Sequence, residues 1–347
     1  MKLIIQIPCY NEESSLPITV AALPRVLPGI DIIEYLVIDD GSTDHTAQVA
    51  RALGVHHVVS IPHRGLARAF MVGLEACLRA GADIIVNTDA DNQYCADDIG
   101  KLIEPILAHN AEMVVGGRPI GTTKHFSPIK KLLQKLGSWA VRVASGTNIA
   151  DAPSGFRAIS RNAAMQLKVF SKYSYTLETI IQAGRKGMTV TSVPIRTNED
   201  LRPSRLVKSI SSYVGRSLLT IVRIFMTYRP LRFFFIMGSL VFGIGLLIGL
   251  RFVYFVLTRG GSGHIQSLIL ASTCMIMGFI IWVVGLLSDL ISVNRRLLEE
   301  ISTRMWKVEA AMQERRDPGK HDSQLASTQD RGALEPRPQI IKARSSR

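Results

Sequence analysis

The sequence predicts an α/β domain with a mainly parallel sheet, followed by interfacial helices and a two-helix transmembrane hairpin. Over the first 200 residues, short apolar runs alternate with helical stretches of about a dozen residues. Strands that alternate with helices in this way form parallel sheets that helices cover on both faces. After residue 232 the chain contains two long apolar segments close together, and each is long enough to span a bilayer.

Four apolar runs rich in isoleucine, leucine and valine are predicted to be strands: Leu3–Ile7, Tyr35–Ile38, Ile84–Asn87 and Met113–Val115. Helical stretches lie among them, at Leu16–Leu27, Thr43–Leu53, Ala67–Ala80 and Asp97–His109. Ser42 is a good N-cap for the second of these, and Gly54 and Gly81 stand where helices end. In such sheets ligands bind at the carboxyl ends of the strands, so the residues that follow each strand are the first candidates for chemistry.

The composition favours membrane contact and anionic partners. Hydrophobic residues make up 47% of the chain, and the formal net charge is +13. The basic residues cluster beside the apolar segments and in the C-terminal tail, not on a patch with aromatic residues, so no nucleic-acid partner is expected. None of the four cysteines stands in a CxxC pair or at metal-ligand spacing, which predicts free thiols in a reducing compartment. The N-terminal apolar run is too short for a signal peptide.

The second half of the chain is predicted to attach to the membrane. Residues 204–232 set arginines and lysines among apolar residues, which is typical of helices in the membrane interface. Residues 233–257 and 265–288 are predicted to span the bilayer. Arginines flank the outer ends of both spans, whereas the loop between them holds only Arg259. The positive-inside rule therefore predicts a multi-pass protein of the inner (cytoplasmic) membrane with its α/β domain in the cytoplasm. A buried pair of long core helices is the alternative.

Beyond the second span, residues 289–315 are predicted to form a cytoplasmic helix and residues 316–347 a disordered tail. Apolar residues recur in this helix at helical spacing: Leu290, Leu297, Ile301, Met305, Val308 and Met312. Such a stripe packs on another surface, so the sequence leaves open a homo-oligomer through the hairpin and this helix.

Acidic residues follow two of the predicted strands. Asp89 and Asp91 follow the third, and two carboxylates at a strand end can face one cation. Hard oxygen ligands select Mg²⁺ or Mn²⁺, and these ions take further ligands from substrate phosphates, so a bound diphosphate fits this site. An ordinary acidic turn is the alternative.

Asp39 and Asp40 follow the second strand. In dinucleotide folds an acid at this place accepts hydrogen bonds from a base or ribose. The sequence has no GxGxxG motif, so the nucleotide is not held in the dinucleotide manner.

Taken together and in order, the polar clusters resemble those of the family 2 glycosyltransferases, which have the GT-A fold, and more narrowly the dolichol- and polyprenyl-phosphate branch of that family. The matching segments are PCYNEE, VIDDGSTD, GLARAF, DADNQ, GGR, DAPSGFRAISR and LRPSRL. The resemblance covers roughly residues 1–210 and implies a catalytic domain at residues 1–203. It further implies a GDP- or UDP-sugar donor, a polyprenyl-phosphate acceptor and a Mg²⁺ or Mn²⁺ cofactor.

The resemblance also implies roles for individual residues. The nucleotide pocket would be lined by Pro8, Tyr10, Glu12 and Asp40, beside Asp39. The metal and the donor diphosphate would be held by Asp89, Asp91 and Gln93. Arg118 would lie near the acceptor phosphate, and the phosphate groups would be surrounded by Arg157, Arg202, Ser204 and Arg205. The catalytic group would comprise Asp91, Arg118 and Arg157. The last loop departs from the family's usual R-x-x-G-x-S-K because Arg205 replaces the lysine, and the two side chains bind phosphate with different geometry.

The expected reaction is an inverting transfer of the sugar to the lipid phosphate. A phosphate monoester has a second pKa of about 6, so it is largely a dianion at neutral pH and needs positioning by cations, not deprotonation. Consistent with this, no Glu-Asp base motif occurs between Arg118 and Arg157. A transferase for a protein or soluble glycan acceptor and a catalytically inactive membrane scaffold remain as alternatives. A processive polysaccharide synthase is disfavoured because a QxxRW motif is absent and two spans are too few for a polymer channel.

Overall fold

The computed structural model describes residues 1–119, 128–149, 151–169, 175–198, 210–259 and 265–316. Within these ranges one sheet is formed by seven strands: β1 (Lys2–Cys9), β2 (Ile32–Asp39), β3 (His57–Ser60), β4 (Ile84–Asn87), β5 (Met113–Gly117), β6 (Arg157–Ser160) and β7 (Val190–Pro194). Their order across the sheet is β3-β2-β1-β4-β6-β5-β7. Paired strands are parallel apart from β6, which is antiparallel to β4 and β5. The mainly parallel α/β fold is thus confirmed.

All four predicted strands are present. Three further strands, β3, β6 and β7, were not predicted from the sequence. Strands β3 and β6 have only four residues each, and β7 mixes polar with apolar residues. None of them forms the apolar run that identified the others. Strand β6 inserts between β4 and β5 and begins at Arg157, which brings that residue beside the end of β4.

In the part of the chain that the structure describes, seven helices cover the sheet: α1 (Leu16–Ala22), α2 (Thr46–Ala52), α3 (Leu66–Arg79), α4 (Ile99–Leu107), α5 (Pro128–Ser145), α6 (Arg161–Gln166) and α7 (Tyr175–Arg185). A 3₁₀ turn, Ala96–Asp98, precedes α4. Gly54 and Gly81 adopt φ angles of +70° and +80°, as the predicted helix ends require.

Helix α2 begins three residues later than the N-cap at Ser42 predicts. The N–H group of Thr43 donates to Asn11, and the N–H group of His45 donates to Glu13. Residues 43–45 are therefore held by the loop that follows β1, so they do not enter the helix. This contact fixes the two loops that follow β1 and β2 against each other.

The sheet separates two apolar cores, because alternate residues of each strand face opposite sides. Ile4 of β1 and Ile38 of β2 lie in the core under α3, α5, α6 and α7. Ile5 and Ile7 lie in the other core, under α1, α2 and α4. Both cores are fully buried, so the sheet is a rigid base for the loops at its edge.

Helix α3 crosses the sheet closely at Gly73. A Cβ atom at this position would lie 2.5 Å from Gln6 Oε1 and 2.6 Å from Ile38 Cδ1. We expect Gly73→Ala to lower the free energy of unfolding by about 1–3 kcal/mol, because these buried neighbours have no room to move. Thermal unfolding in detergent measures the change. Gly100→Ala in α4 is the matched control, since its nearest neighbour would be Leu27 Cδ2 at 3.7 Å. Equal melting temperatures for the two variants would contradict the prediction.

Three helices follow the sheet domain: α8 (Ile210–Tyr228), α9 (Pro230–Arg259) and α10 (Ile265–Arg316). Helix α8 packs on the sheet domain, since Ile224 is buried in the core under α7. The guanidinium of Arg185 donates to the carbonyl of Tyr228 and lies 6.0 Å from the centre of its ring. The start of α9 is therefore tied to the sheet domain.

Helices α9 and α10 pack as a close antiparallel hairpin. A Cβ atom at Gly238 would lie 2.8 Å from the carbonyl oxygen of Gly278, and the converse distance is also 2.8 Å. The indole of Trp282 stacks on Phe235 and Phe242. Small residues that bring helix backbones together are typical of membrane hairpins.

Both hairpin helices are long and apolar enough to cross a membrane, at Pro230–Thr258 and Ile265–Asn294. Only 11% and 17% of the residues in their most apolar stretches are buried. A core pair in a soluble protein would be covered by the rest of the chain, so the exposed surface disfavours that alternative. Helix α10 runs from a larger compact unit, Met1–Leu297, into a second one, Leu298–Arg347.

Candidate active site

The candidate site lies where β1, β2 and β4 end side by side. Cys9 at the end of β1 pairs with Asp39 of β2, and Gln6 of β1 pairs with Asn87 at the end of β4. Pro8 is buried in the first of these ladders. The loops that carry the predicted donor-binding and metal-binding residues therefore share one edge of the sheet, as the parallel arrangement predicts.

Asp40 organises the loop that leads into α3. Its Oδ1 accepts a hydrogen bond from Arg64 N–H, and its Oδ2 accepts one from Gly65 N–H, both at 2.9 Å. His63 Nδ1 also lies 2.9 Å from Oδ2. The ring of His63 stacks on the exposed ring of Tyr10, with 4.2 Å between the ring centres. These contacts fix an aromatic surface at the edge of the sheet, beside the carboxylate.

The other two acids predicted for the donor side also make local hydrogen bonds. Asp39 Oδ1 accepts a hydrogen bond from Ser42 N–H at 3.0 Å. Glu12 is buried, and its Oε2 accepts a hydrogen bond from Ser15 Oγ at 2.6 Å. The N–H group of Glu12 donates to Thr46 Oγ1 at 2.9 Å. Both acids therefore hold the loops after β1 and β2 in place.

Asp89 and Asp91 follow β4 and lie close enough to interact electrostatically. Burial, and then the charge of Asp91, raise the pKa of Asp89 to about 7, although the positive charge of Arg118 opposes them. The hydroxyl of Tyr94 hydrogen-bonds to Asp89 and accepts a hydrogen bond from Gly155 N–H. A Cβ atom at Gly155 would lie 3.1 Å from both carboxylate oxygens, so this glycine allows close packing against Asp89.

The turn that carries Asp91 is held by the segment that follows β7. Asp91 Oδ1 accepts a hydrogen bond from Gln93 N–H at 3.2 Å, and Asn92 adopts a positive φ of 55°. Asn198 donates its N–H to the carbonyl of Gln93 at 2.9 Å and its side-chain amide to the carbonyl of Asn92 at 2.8 Å. The chain just before residue 199 is thus hydrogen-bonded to the acidic turn. The predicted residues Arg202, Ser204 and Arg205 lie outside the described residues.

Asp98 anchors this segment and gives it a pH dependence. It is buried and accepts hydrogen bonds from Arg196 N–H at 2.7 Å and from its guanidinium at 3.0 Å, while Lys101 lies 2.8 Å away. Burial alone would raise the pKa of Asp98, but the bonds from Arg196 and Lys101 outweigh it and lower the pKa from 3.8 to about 2.

We expect Asp98→Asn to lower the free energy of unfolding at pH 7 by on the order of 1 kcal/mol, because both cationic partners are solvent-screened. The folded-state pKa lies below the unfolded one, so this stabilisation is present above about pH 4 and is lost as the pH falls towards 2. Melting temperatures of wild type and variant should therefore converge in acid. Glu104→Gln, an exposed change in helix α4, which follows Asp98, is the control. A difference that grows in acid would overturn the assignment.

Arg118 follows β5 and pairs with Asp151 through two parallel hydrogen bonds. The distances are 2.7 Å from Nε to Oδ2 and 3.0 Å from Nη2 to Oδ1. Burial opposes the charged form, but the Asp151 pair outweighs it and raises the pKa of Arg118 above its ordinary value. The pair uses two of the five guanidinium N–H groups, so Arg118 can hold Asp151 and an anionic oxygen together. Asp151 belongs to the DAPSG segment, but the sequence analysis gave it no role.

Arg157 is fully buried. Its guanidinium donates to the carbonyls of Ser154 and Ala152 at 2.9 Å each and to the hydroxyl of Thr179. Burial lowers the pKa of Arg157 to about 10, so it stays protonated at neutral pH. This geometry favours a positioning role, in which Arg157 shapes the loop against Asp89, over the phosphate contact that the resemblance implies.

A buried polar network that sequence reasoning missed supports the loop from below. Gln6 donates to Asn87 Oδ1 at 2.9 Å, and Asn87 Nδ2 donates to the carbonyl of Gly155 at 2.9 Å and to the hydroxyl of Tyr175 at 2.8 Å. The Tyr175 ring stacks on Phe70 of α3 at 4.0 Å, and burial raises its pKa. One feature of the sequence could have indicated this network: the polar residue Asn87 ends an otherwise apolar strand. The network joins α3 and α7 to the loop that packs on Asp89.

The acidic pair fits a divalent cation that arrives with its substrate. Among the described residues, no three His, Cys, Asp or Glu side chains are grouped to hold a metal ion. Mg²⁺ and Mn²⁺ commonly take one or two carboxylates and complete their shell with water and phosphate oxygens. Burial and the negative charge of Asp91 both destabilise the ionised form of Asp89 and so raise its pKa. A bound metal cation would stabilise the ionised form against both.

Known proteins resemble the chain in both sequence and structure. The family model described as "Glycosyl transferase family 2" matches residues 4–170. A UDP-N-acetylglucosamine–dolichyl-phosphate N-acetylglucosaminyltransferase of Methanococcus voltae is 33% identical over 217 residues, which cover 55% of this chain and 83% of the relative. An undecaprenyl-phosphate mannosyltransferase of Micrococcus luteus is 28% identical over 235 residues, which cover 64% of this chain and 93% of the relative.

The structural comparison supports the GT-A-like fold. Glucosyl-3-phosphoglycerate synthase of Mycobacterium tuberculosis, in complex with phosphoglyceric acid, superimposes with a TM-score of 0.51 at 22% identity. The match covers 65% of this chain and 79% of the synthase. Another crystal structure of that synthase contains Mn²⁺ and UDP. The sequence relatives and the family model together establish that this chain is a glycosyltransferase and belongs to glycosyl transferase family 2.

Proposed function

We propose that the protein transfers a sugar from a GDP- or UDP-sugar to a polyprenyl phosphate, with inversion at the anomeric carbon, at the cytoplasmic face of the membrane. The observation that carries the proposal is the placement of the Arg118–Asp151 pair beside the acidic pair Asp89 and Asp91. One edge of the sheet would thereby offer two carboxylates to bind a metal cation. It would also offer the guanidinium of Arg118, oriented by Asp151, to bind an anionic acceptor. Distant relatives transfer sugars to polyprenyl or dolichyl phosphate.

The residues of the donor side would bind the nucleotide by stacking and hydrogen bonding. Tyr10 and His63 would provide the aromatic surface for stacking. Asp40 holds the loop that carries His63. Asp89 and Asp91, with Gln93 in the same turn, would hold Mg²⁺ or Mn²⁺. When bound, that cation supplies positive charge to the diphosphate leaving group. Residues 199–205 follow a segment hydrogen-bonded to this turn, so Arg202, Ser204 and Arg205 are proposed to bind donor phosphates.

The acceptor side needs a cation and not a base. A lipid phosphate monoester is largely a dianion at neutral pH, so its oxygen is already a nucleophile. Arg118 would hold that phosphate in line with the anomeric carbon, and Asp151 would keep the guanidinium oriented. Displacement from the face opposite the leaving diphosphate inverts the anomeric configuration.

The two apolar helices are proposed to anchor the enzyme as a multi-pass membrane protein, with the catalytic domain and α10 after Asn294 in the cytoplasm. Arginines at the outer ends of the hairpin favour this orientation. Residues 204–232 would lie at the membrane surface, where the basic residues meet anionic headgroups. This placement would hold the catalytic edge at the depth of a lipid phosphate.

The test is product formation in membranes supplied with undecaprenyl phosphate, Mg²⁺ or Mn²⁺, and a panel of radiolabelled UDP- and GDP-sugars. We expect one donor to label the lipid fraction in a metal-dependent reaction. The anomeric configuration of the product, read by NMR, should be opposite to that of the donor. Label in a protein or in a soluble glycan, with none in lipid, would overturn the acceptor assignment. Retention of configuration would overturn the direct displacement.

A further inference from the structure

Helix α10 continues well past its partner in the hairpin. The crossing nearest the start of α9 is at Gly285, where a Cβ atom would lie 2.8 Å from Phe234 Cβ. Helix α9 begins at Pro230, whereas α10 runs on without interruption to Arg316. The sequence holds no glycine or proline between Gly285 and Pro318. At 1.5 Å per residue, the part of α10 from residue 290 to its end is about 40 Å long.

This extension carries an apolar stripe with the spacing of a heptad repeat. Steps of three and four alternate along its first two heptads and part of a third, at Ile291, Asn294, Leu298, Ile301, Met305 and Val308, and we call these six residues the α10 stripe. Ile291 lies within the apolar span Ile265–Asn294, and the four apolar members beyond that span are between 52% and 67% exposed. A helix that displays such a stripe gains its stability from packing the stripe against another surface.

We propose that the α10 stripe is the contact surface of a parallel coiled coil between copies of this chain. The inference rests on the membrane placement proposed above. A hairpin inserted in one orientation sends the α10 extension of every copy out of the same face, so the extensions emerge parallel. Confinement in the membrane also raises their effective concentration.

The sequence around the stripe specifies a second copy rather than another surface. With Leu298 and Met305 at heptad position a, Arg304 occupies position g and Glu309 occupies position e of the next heptad. In a parallel pair, position g of one helix faces position e of the other, so these two charges attract. Asn294, at a d position, is the one polar member of the α10 stripe.

A membrane surface fits the stripe less well. Acidic residues interleave with basic ones along the extension: Arg295, Arg296, Glu299, Glu300, Arg304, Lys307, Glu309, Glu314, Arg315 and Arg316. A helix that binds anionic headgroups is instead predominantly basic on its polar face.

The test is disulfide cross-linking of the full-length chain in native membranes. Ile301→Cys places a thiol at position d, which faces its own counterpart in an in-register parallel pair. Thr303→Cys is the matched control at position f, on the opposite side of the helix. Because the two Cβ atoms must approach to about 4 Å, we expect at least about tenfold more covalent dimer from Ile301→Cys than from the control or the unsubstituted chain. Equal yields, or a disulfide to a different protein, would overturn the coiled coil.

A second measurement uses the mass of the detergent-solubilised protein. Ile301→Glu should convert an oligomer to monomer, whereas Thr303→Glu, with the same change of charge, should leave the oligomer intact. A monomeric wild-type protein would overturn the inference. Lipid glycosylation is assayed in the same membranes, so that failure of the coiled coil can be told apart from failure of the proposed reaction. Transfer without cross-linking removes only the coiled coil, whereas cross-linking without transfer supports the coiled coil and counts against the proposed reaction.

Discussion

We expect Asp91→Asn to reduce kcat/KM for sugar transfer by about a thousandfold, equivalent to about 4 kcal/mol of transition-state stabilisation. The substitution keeps the size of the side chain and removes the negative charge beside Asp89. Binding of Mg²⁺ or Mn²⁺ should weaken with it, because neutral amides are poorer ligands for hard cations than carboxylates. The measurement is the initial rate of lipid labelling as a function of metal concentration.

Asp97→Asn is the matched control for this variant. Asp97 lies in the same segment, is largely exposed and has Arg196 3.5 Å away, so the same chemical change there should leave the rate near that of wild type. A melting temperature for Asp91→Asn close to that of wild type would show that the fold is intact. A rate loss shared equally by the two variants would argue against metal binding at Asp91.

Arg157→Lys is expected to destabilise the fold by about 3–5 kcal/mol, because it breaks a buried charged hydrogen-bond network. The lysine ammonium cannot satisfy the carbonyls of Ala152 and Ser154 and the hydroxyl of Thr179 with the geometry of the guanidinium. Loss of this network releases the loop that packs Gly155 against Asp89. Thermal and chemical unfolding in detergent measure the effect.

Activity separates this positioning role from direct contact with substrate. If Arg157 binds a phosphate, Arg157→Lys should fold with wild-type stability and show a raised KM. If it positions the loop, stability and kcat should fall together, and the loss of kcat should shrink at low temperature. Arg161→Lys is the control, since Arg161 is only partly buried and donates to one carbonyl, that of Ala82.

The parts of the fold that the sequence predicted share one physical property, a continuous apolar run. Strands β1, β2, β4 and β5 are largely buried apolar runs, and both hairpin helices are long and apolar enough to cross a membrane. Strand β6 escaped prediction because it begins with Arg157, which no local pattern marks as buried. Its guanidinium donates to carbonyls and a hydroxyl that come from residues 152, 154 and 179.

Some features of the candidate site could likewise be predicted from the sequence, and others could not. The acids at the strand ends could be identified from the sequence, because a parallel sheet brings the ends of its strands to one edge. Their hydrogen bonds could not be predicted. Asp89 bonds to the hydroxyl of Tyr94, and Asp91 Oδ1 accepts a hydrogen bond from Gln93 N–H. Asp40 holds the loop before α3, and Asp39 and Glu12 hold the loops after β2 and β1.

The sequence by itself determined the family, the α/β sheet, the acidic pair Asp89 and Asp91 and the two apolar helices, because each is a local pattern of residue types. Only the tertiary structure decided that Asp151 pairs with Arg118, that Arg157 is enclosed by protein and that Asn198 holds the acidic turn. Arg118 and Asp151 lie 33 residues apart in the chain and Asn92 and Asn198 lie 106 residues apart, and Arg157 donates to Thr179, 22 residues away, as well as to two near neighbours. Their partners are selected by the insertion of β6 between β4 and β5 and by the docking of the segment after β7, which no local pattern records.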